Sequence, residues 1–223
     1  SDAASYNTQL GMGYLKQGDR PRAKKKFLAA LELDPASPDV QDAIGYYFEK
    51  TGDLVEAKKY YRQALALAPN SGAQLNNYGA FLCRSGNYPD AETYFLKAVQ
   101  DINYVDTSGA YENAGLCAGA IPDYQKADIY FNKALEQDPR RKQSLYELAS
   151  IALKQNKPHK ALAYLQKYNV LSLADKELLA MAVFAAHEAG QSEIENDYKE
   201  RLSQLNNFTG NSGVQNEYDS NNG

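Results

Sequence analysis

The sequence predicts an all-α protein, a solenoid of six helix-turn-helix hairpins, and two observations carry that reading. The first is the stretch from Leu75 to Ala98, where Tyr78, Gly79 and Leu82 share one helical face and Ala91, Phe95 and Ala98 share another. Ser85-Gly86-Asn87 lies between them, with glycine free to take the left-handed conformation that ends a helix and asparagine suited to start the next. The second is that the pattern recurs. Ala23, Ala57, Ala91, Ala127 and Ala161 follow one another at steps of 34, 34, 36 and 34. Phe27, Tyr61, Phe95, Phe131 and Leu165 keep the same register, as do Gly11, Gly45, Gly79, Gly115 and Ala149. One such hairpin cannot bury either face, so it needs neighbouring copies.

Each column has a physical reason. Glycine or alanine on the first helix lets the second approach closely, and the alanine of the second serves the same contact. The bulky residue fills the space between hairpins. Pro35, Pro69 and Pro139 stop the second helix, since proline cannot continue its hydrogen-bond ladder. A period of 34 residues with helix-turn-helix content resembles the tetratricopeptide repeat, which implies a right-handed superhelical solenoid.

Taken in order, the repeats span about residues 4–37, 38–71, 72–107, 108–141, 142–175 and 176–209. The first two carry Gly18-Asp19 and Gly52-Asp53 at the inter-helix turn. The third ends in Gln100 to Asp106, which lacks proline and holds two extra residues, read as a lengthened second helix or a longer loop. The fourth turns through Gly119-Ala120-Ile121-Pro122-Asp123, and the fifth is weaker, with Tyr168 in place of a small residue. The sixth keeps little beyond Gly190, as a cap exposed to water on one side would. Residues 210–223 are rich in Asn, Ser and Gly and are expected to form a polar tail without order. The expected organisation is thus a single solenoid over residues 1–209 with that tail after it.

The chemistry of the side chains argues against catalysis. Formal net charge is −4 with acidic residues interspersed, which leaves no basic stripe for nucleic acid. No run is long and apolar enough to cross a membrane, and the polar lead Ser1-Asp2-Ala3-Ala4-Ser5 reads as a mature or trimmed N-terminus. The two histidines, His159 and His187, have no carboxylate or cysteine cluster at ligand spacing, and read as a surface and a partly packed residue. Phosphate loops and nucleophile motifs are absent, so neither an enzyme nor a cofactor or metal site is expected. Cys83 and Cys117 lie on the first helices of repeats three and four. A disulfide there would staple the two repeats, but cysteine is among the most buried residue types and the helix positions are not equivalent, which favours free thiols.

The functional surface of such a solenoid is its concave groove, lined by first helices. Counting along the hairpins assigns to it Met12, Leu15, Tyr46, Glu49, Asn76, Asn77, Ala80, Glu112, Asn113, Leu116, Tyr146, Leu153 and Phe184. Asn77 and Asn113 recur at one helix position, where a carboxamide either holds the backbone of an extended peptide or bonds across adjacent helices. Tetratricopeptide domains that hold the C-terminal carboxylate of heat-shock chaperones carry a lysine/arginine set on successive first helices. Thr8, Met12, Ala73 and Asn77 stand at the matching places and supply no cation, which argues against that ligand.

A narrower resemblance rests on Leu75-Asn76-Asn77-Tyr78-Gly79-Ala80-Phe81-Leu82-Cys83, the insert near Tyr104, and Tyr111-Glu112-Asn113-Ala114-Gly115-Leu116-Cys117. These stretches resemble the type IV pilus biogenesis lipoproteins of the PilF/PilW family. The resemblance implies a monomeric, non-enzymatic pilotin, lipid-anchored at the periplasmic face of the outer membrane through a cysteine preceding Ser1. Its partner would be the pilus secretin subunit, brought to the membrane and assembled into a ring, with Met12, Leu15 and Tyr46 among the contacts. The alternative is a general peptide-binding co-chaperone or adaptor unrelated to pili.

Overall fold

Short polar caps and left-handed turn residues cut the chain into helices. The structure, a computed structural model, describes residues 1–221, with side chains to residue 208. Among the described residues it is all-helical: α1 (Asp2–Lys16), α2 (Arg20–Leu33), α3 (Pro38–Lys50), α4 (Leu54–Leu67), α5 (Gly72–Arg84), α6 (Tyr88–Ala98), α7 (Thr107–Ala120), α8 (Tyr124–Gln137), α9 (Lys142–Lys154), α10 (Pro158–Lys167), α11 (Asn169–Ser172), α12 (Lys176–Glu188) and α13 (Ser192–Asn221). The helices gather into two compact units, one from Ser1 to Pro122 and the other from Asp123 onward.

Three of the second helices, α2, α4 and α8, start on an aspartate. Asp19, Asp53 and Asp123 accept from the backbone N–H groups of Arg22, Glu56 and Lys126 at 3.2, 3.1 and 3.2 Å, satisfying donors that the helix itself cannot. The turn residue before the cap is left-handed at Gly18, Gly52, Gly86 and Gly190, with φ of 80°, 90°, 89° and 71°. In the fifth repeat Asn156 takes this place at φ 57°. Helices α2, α4 and α8 end two residues before Pro35, Pro69 and Pro139, and Asp34, Ala68 and Asp138 adopt the extended φ that proline imposes on its predecessor.

Packing follows the columns. All five alanines of the second helices are fully buried, and the bulky residues four positions on, from Phe27 to Leu165, are at most 2% exposed. A Cβ built on Gly11 would stand 2.6 Å from the Phe27 ring, and one on Gly79 would stand 2.8 Å from Phe95. No side chain fits either gap, which is why the first helix carries glycine there.

The two extra residues of repeat three form a loop and do not lengthen α6, which ends at Ala98. Asp101 holds the loop by accepting from Gly72 N–H at 2.8 Å and Asn103 N–H at 3.0 Å. These two backbone donors draw the Asp101 carboxyl below its ordinary range. Tyr104 folds back onto Gly72 and the cluster of Leu75, Ala98 and Ala110. Ile102 and Val105, on either side of it, are 96% and 98% exposed.

Two expectations need correction. Cys83 and Cys117 are joined in a disulfide, not free: α5 and α7 run side by side, and the Cα atoms lie 5.8 Å apart, within bridging range. The last helix, α13, runs from Ser192 to Asn221, and residues 222–223 lie outside the described residues. His187 is exposed, with Nδ1 3.0 Å from Glu195 Oε1, instead of partly packed.

Two stability measurements test this packing. Phe95→Ala removes a ring that is 1% exposed and should cost roughly 3–5 kcal/mol in urea unfolding, whereas Phe208→Ala, at 73% exposed, should stay within about 0.5 kcal/mol. Equal losses would show that the aromatic column does not carry the fold. Replacing both cysteines by alanine opens a link across a sequence separation of 34 and should lower stability by about 2–4 kcal/mol.

Candidate functional site

In the first unit, α1, α3, α5 and α7 present side chains to one cavity of about 400 Å³. Six of the residues assigned to the groove from sequence line it: Met12, Tyr46, Asn76, Asn77, Ala80 and Asn113. Leu15 belongs to an adjoining hollow of about 630 Å³ that shares Met12 and Tyr46 and is edged by Lys16, Arg20 and Lys50. Glu112 and Leu116 are on α7 outside the cavity lining, and Leu116 is exposed. Tyr146, Leu153 and Phe184 belong to the second unit and take no part in this cavity.

A polar ladder links the first helices. Asn77 Nδ2 donates to Asp42 Oδ2 at 2.8 Å, and Asn113 Nδ2 donates to Asn76 Oδ1 at 3.0 Å. Of the two roles open to the asparagines, bonding across adjacent helices is therefore the one the geometry displays. Gln74 Nε2 bridges two carboxylates, donating to Asp39 Oδ1 at 2.8 Å and Asp42 Oδ2 at 3.3 Å. At the other end of α5, Arg84 Nε and Nη2 clasp Glu49 Oε2 and Oε1 at 2.6 and 2.9 Å, while the Tyr61 hydroxyl donates to Glu49 Oε1 at 3.0 Å. Burial pulls the Arg84 guanidinium down, but the Glu49 bonds and charge outweigh it and hold the pKa above its ordinary value. Burial, with the Glu49 charge behind it, pushes the Tyr61 hydroxyl far up, so it stays a donor.

Five lining residues escaped the sequence reading: Asp39, Asp42, Ala43, Tyr61 and Arg84. A signal existed for one of them. Asn76 and Glu112 stand three positions before Gly79 and Gly115, and the same count back from Gly45 gives Asp42. Asp42 is 6% exposed, and its Oδ1 has no hydrogen-bond partner. Burial pushes its carboxyl up to about 7, against the lowering effect of the Asn77 and Gln74 bonds and with the Asp39 charge adding to the rise.

The tetratricopeptide repeat model matches residues 8–72, 43–106 and 118–170. The type IV pilus assembly protein PilF of Pseudomonas aeruginosa is 34% identical over 147 residues, which span 66% of this chain and 58% of that relative. A solved structure of Pseudomonas aeruginosa PilF superposes with a TM-score of 0.72 at 29% identity, covering 92% of each chain. The structure of PilW, described as a widely conserved type IV pilus biogenesis factor, gives a TM-score of 0.72 at 25% identity, over 92% of this chain and 94% of that one. The chain is thus homologous to PilF and matches both structures along nearly its whole length.

The state of Asp42 sets a pH dependence whose sign follows from the raised pKa. A carboxyl at about 7 in the folded chain and 3.8 as its ordinary value binds its proton more tightly when folded. Its contribution is fully present below the lower value and is lost as pH rises through the upper one. Asp42→Asn cannot charge, so its stability relative to the natural chain should rise by roughly 2–4 kcal/mol between pH 4 and pH 8 in urea unfolding. A difference that is constant with pH would show that Asp42 is not the buried titrating group.

Proposed function

The chain belongs to the tetratricopeptide repeat family, and from that premise we propose that it is a non-enzymatic scaffold of type IV pilus biogenesis. The observation that carries this reading is the match to PilF and PilW over 92% of the chain, at TM-scores of 0.72. Within that role it acts as a pilotin: it binds the pilus secretin subunit through the first unit's groove and promotes its localisation and multimerisation in the outer membrane. The mechanism is tethering. A lipid anchor at the periplasmic face of that membrane fixes the scaffold, and the scaffold raises the local concentration of secretin subunits there.

The Cys83–Cys117 disulfide supports a location outside the reducing cytosol. It also weighs against the alternative of a cytosolic co-chaperone or adaptor, for which such a staple would be kept reduced. The apolar wall of the first unit's cavity, formed by Met12, Ala43, Tyr46 and Ala80, supports a protein ligand.

The test is genetic. Deleting the gene should abolish heat- and detergent-resistant secretin multimers while monomer persists, and a lipid-anchored form of the chain should restore them. Tyr46→Ala and Met12→Asp, which alter the cavity wall without touching the polar ladder, should restore them poorly. Multimers unchanged in the deletion strain would sink the pilotin role. Full restoration by both variants would move the contact away from the groove, to a surface such as the exposed Ile102 and Val105.

A further inference from the structure

Asp42 is the feature that the fold does not explain. Its Oδ2 is well held, but Oδ1 is buried and unpartnered in a side chain that lines the first unit's cavity. Leaving a buried carboxylate oxygen without a donor costs the fold free energy, in either protonation state. A carboxylate would lack its donor, and a protonated Oδ1 would lack an acceptor. Asp39 lies on the far side of the same Gln74 amide, so two carboxyl groups flank one nitrogen. The cation that lines the cavity, Arg84, is occupied by Glu49 in a two-point contact. Beside these carboxylates stand Met12, Ala43, Tyr46 and Ala80, an apolar wall.

That combination selects a ligand. Apolar wall followed by buried, uncompensated acid fits a long side chain with an aliphatic stem and a cationic head, since lysine and arginine pack their methylenes on apolar surface and carry charge only at the tip. A neutral donor would supply a hydrogen bond and leave the charge uncompensated. A metal ion would want more ligands than this cavity gathers. We propose that the cavity takes the ammonium or guanidinium of a lysine or arginine presented by an extended segment of the partner protein, with the Asp42 carboxyl turning toward the cavity as its counter-ion and Asp39 alongside. The inference rests on the reading that the groove holds a protein segment, and it names the residue type that segment must offer. The elevated pKa of Asp42 agrees with a site whose charge is stabilised only when the cation arrives.

The experiment uses the full chain with 13C-labelled aspartate and two probes, acetyl-Gly-Gly-Lys-Gly-Gly-amide and the same peptide with norleucine in place of lysine. Norleucine keeps the stem and lacks the ammonium. The lysine peptide should bind with a Kd of about 1 mM and move the Asp42 carboxyl titration midpoint to lower pH, while the norleucine peptide should do neither. Asp42→Asn should weaken lysine-peptide binding at least about tenfold, Asp39→Asn less, and Asp197→Asn, an exposed acid of the second unit, not at all. Equal binding of the two peptides, no binding of the lysine peptide, or an unmoved Asp42 midpoint at its saturation each overturns the proposal. The secretin assay separates this from the role itself. Loss of multimers on deletion with no lysine binding leaves the pilus role and removes the pocket; Asp42-dependent lysine binding with multimers intact on deletion does the reverse.

Discussion

Gly79 and Ala91 let α5 and α6 approach until the Phe95 ring seals the space beneath them, and the hairpins of the first unit are each built on such a contact. A Cβ on Gly79 would stand 2.8 Å from the ring, closer than two carbon atoms can come, so the approach is set by the absence of a side chain. Because Gly11 meets Phe27 even more closely, and Gly45 stands tightly against Tyr61, where a Cβ would lie 3.1 Å from the ring, successive first helices present equivalent faces at a repeating interval. That repetition brings Asp42 of α3 together with Asn77 and Arg84 of α5 around one cavity. Burial of the alanine and aromatic columns provides the driving force, and the glycines decide its geometry.

The fold was legible because its determinants are periodic. Thirty-four-residue columns, proline stops and Gly-Asp turns are local signals, and each reappears in the structure where the spacing put it. The turn at Asn156 was less visible because asparagine reaches the left-handed region without being glycine. The insert after Ala98 was ambiguous because two extra residues extend a helix or a loop equally well on paper. Asp101 bonding to Gly72 decides between them, a contact 29 positions apart that no periodicity reports.

The candidate site was legible only in outline. Counting helix positions placed Met12, Tyr46, Asn76, Asn77, Ala80 and Asn113 around the cavity, but it could not say which polar groups would meet. Asn77 pairs with Asp42 and Asn113 with Asn76 across stacked helices, at separations of 35 and 37 positions. The disulfide was misjudged for a related reason. Helix position alone treats Cys83 and Cys117 as out of register, and only the side-by-side course of α5 and α7 places their Cα atoms 5.8 Å apart. Pairwise side-chain geometry between repeats is tertiary information, whereas the columns within a repeat are not.

The polar ladder also separates what holds the hairpins together from what the groove has left to offer. Glu49 is engaged by Arg84 and Tyr61, and Asp39 receives a bond from Gln74, so these charges orient α3 against its neighbours. Such bonds give register more than stability, since buried charge must first be stripped of water. Asp42 departs from this pattern. A fold selected for stability alone would place asparagine there, keep the acceptor that Asn77 and Gln74 use, and avoid the cost of a carboxyl pushed up to about 7. Retaining acid at that point, in a cavity edged by Met12 and Tyr46, trades stability of the free chain for charge that becomes favourable when a positive group enters. The same trade would give the groove selectivity among extended segments, because a peptide without a cation in register would leave Asp42 uncompensated.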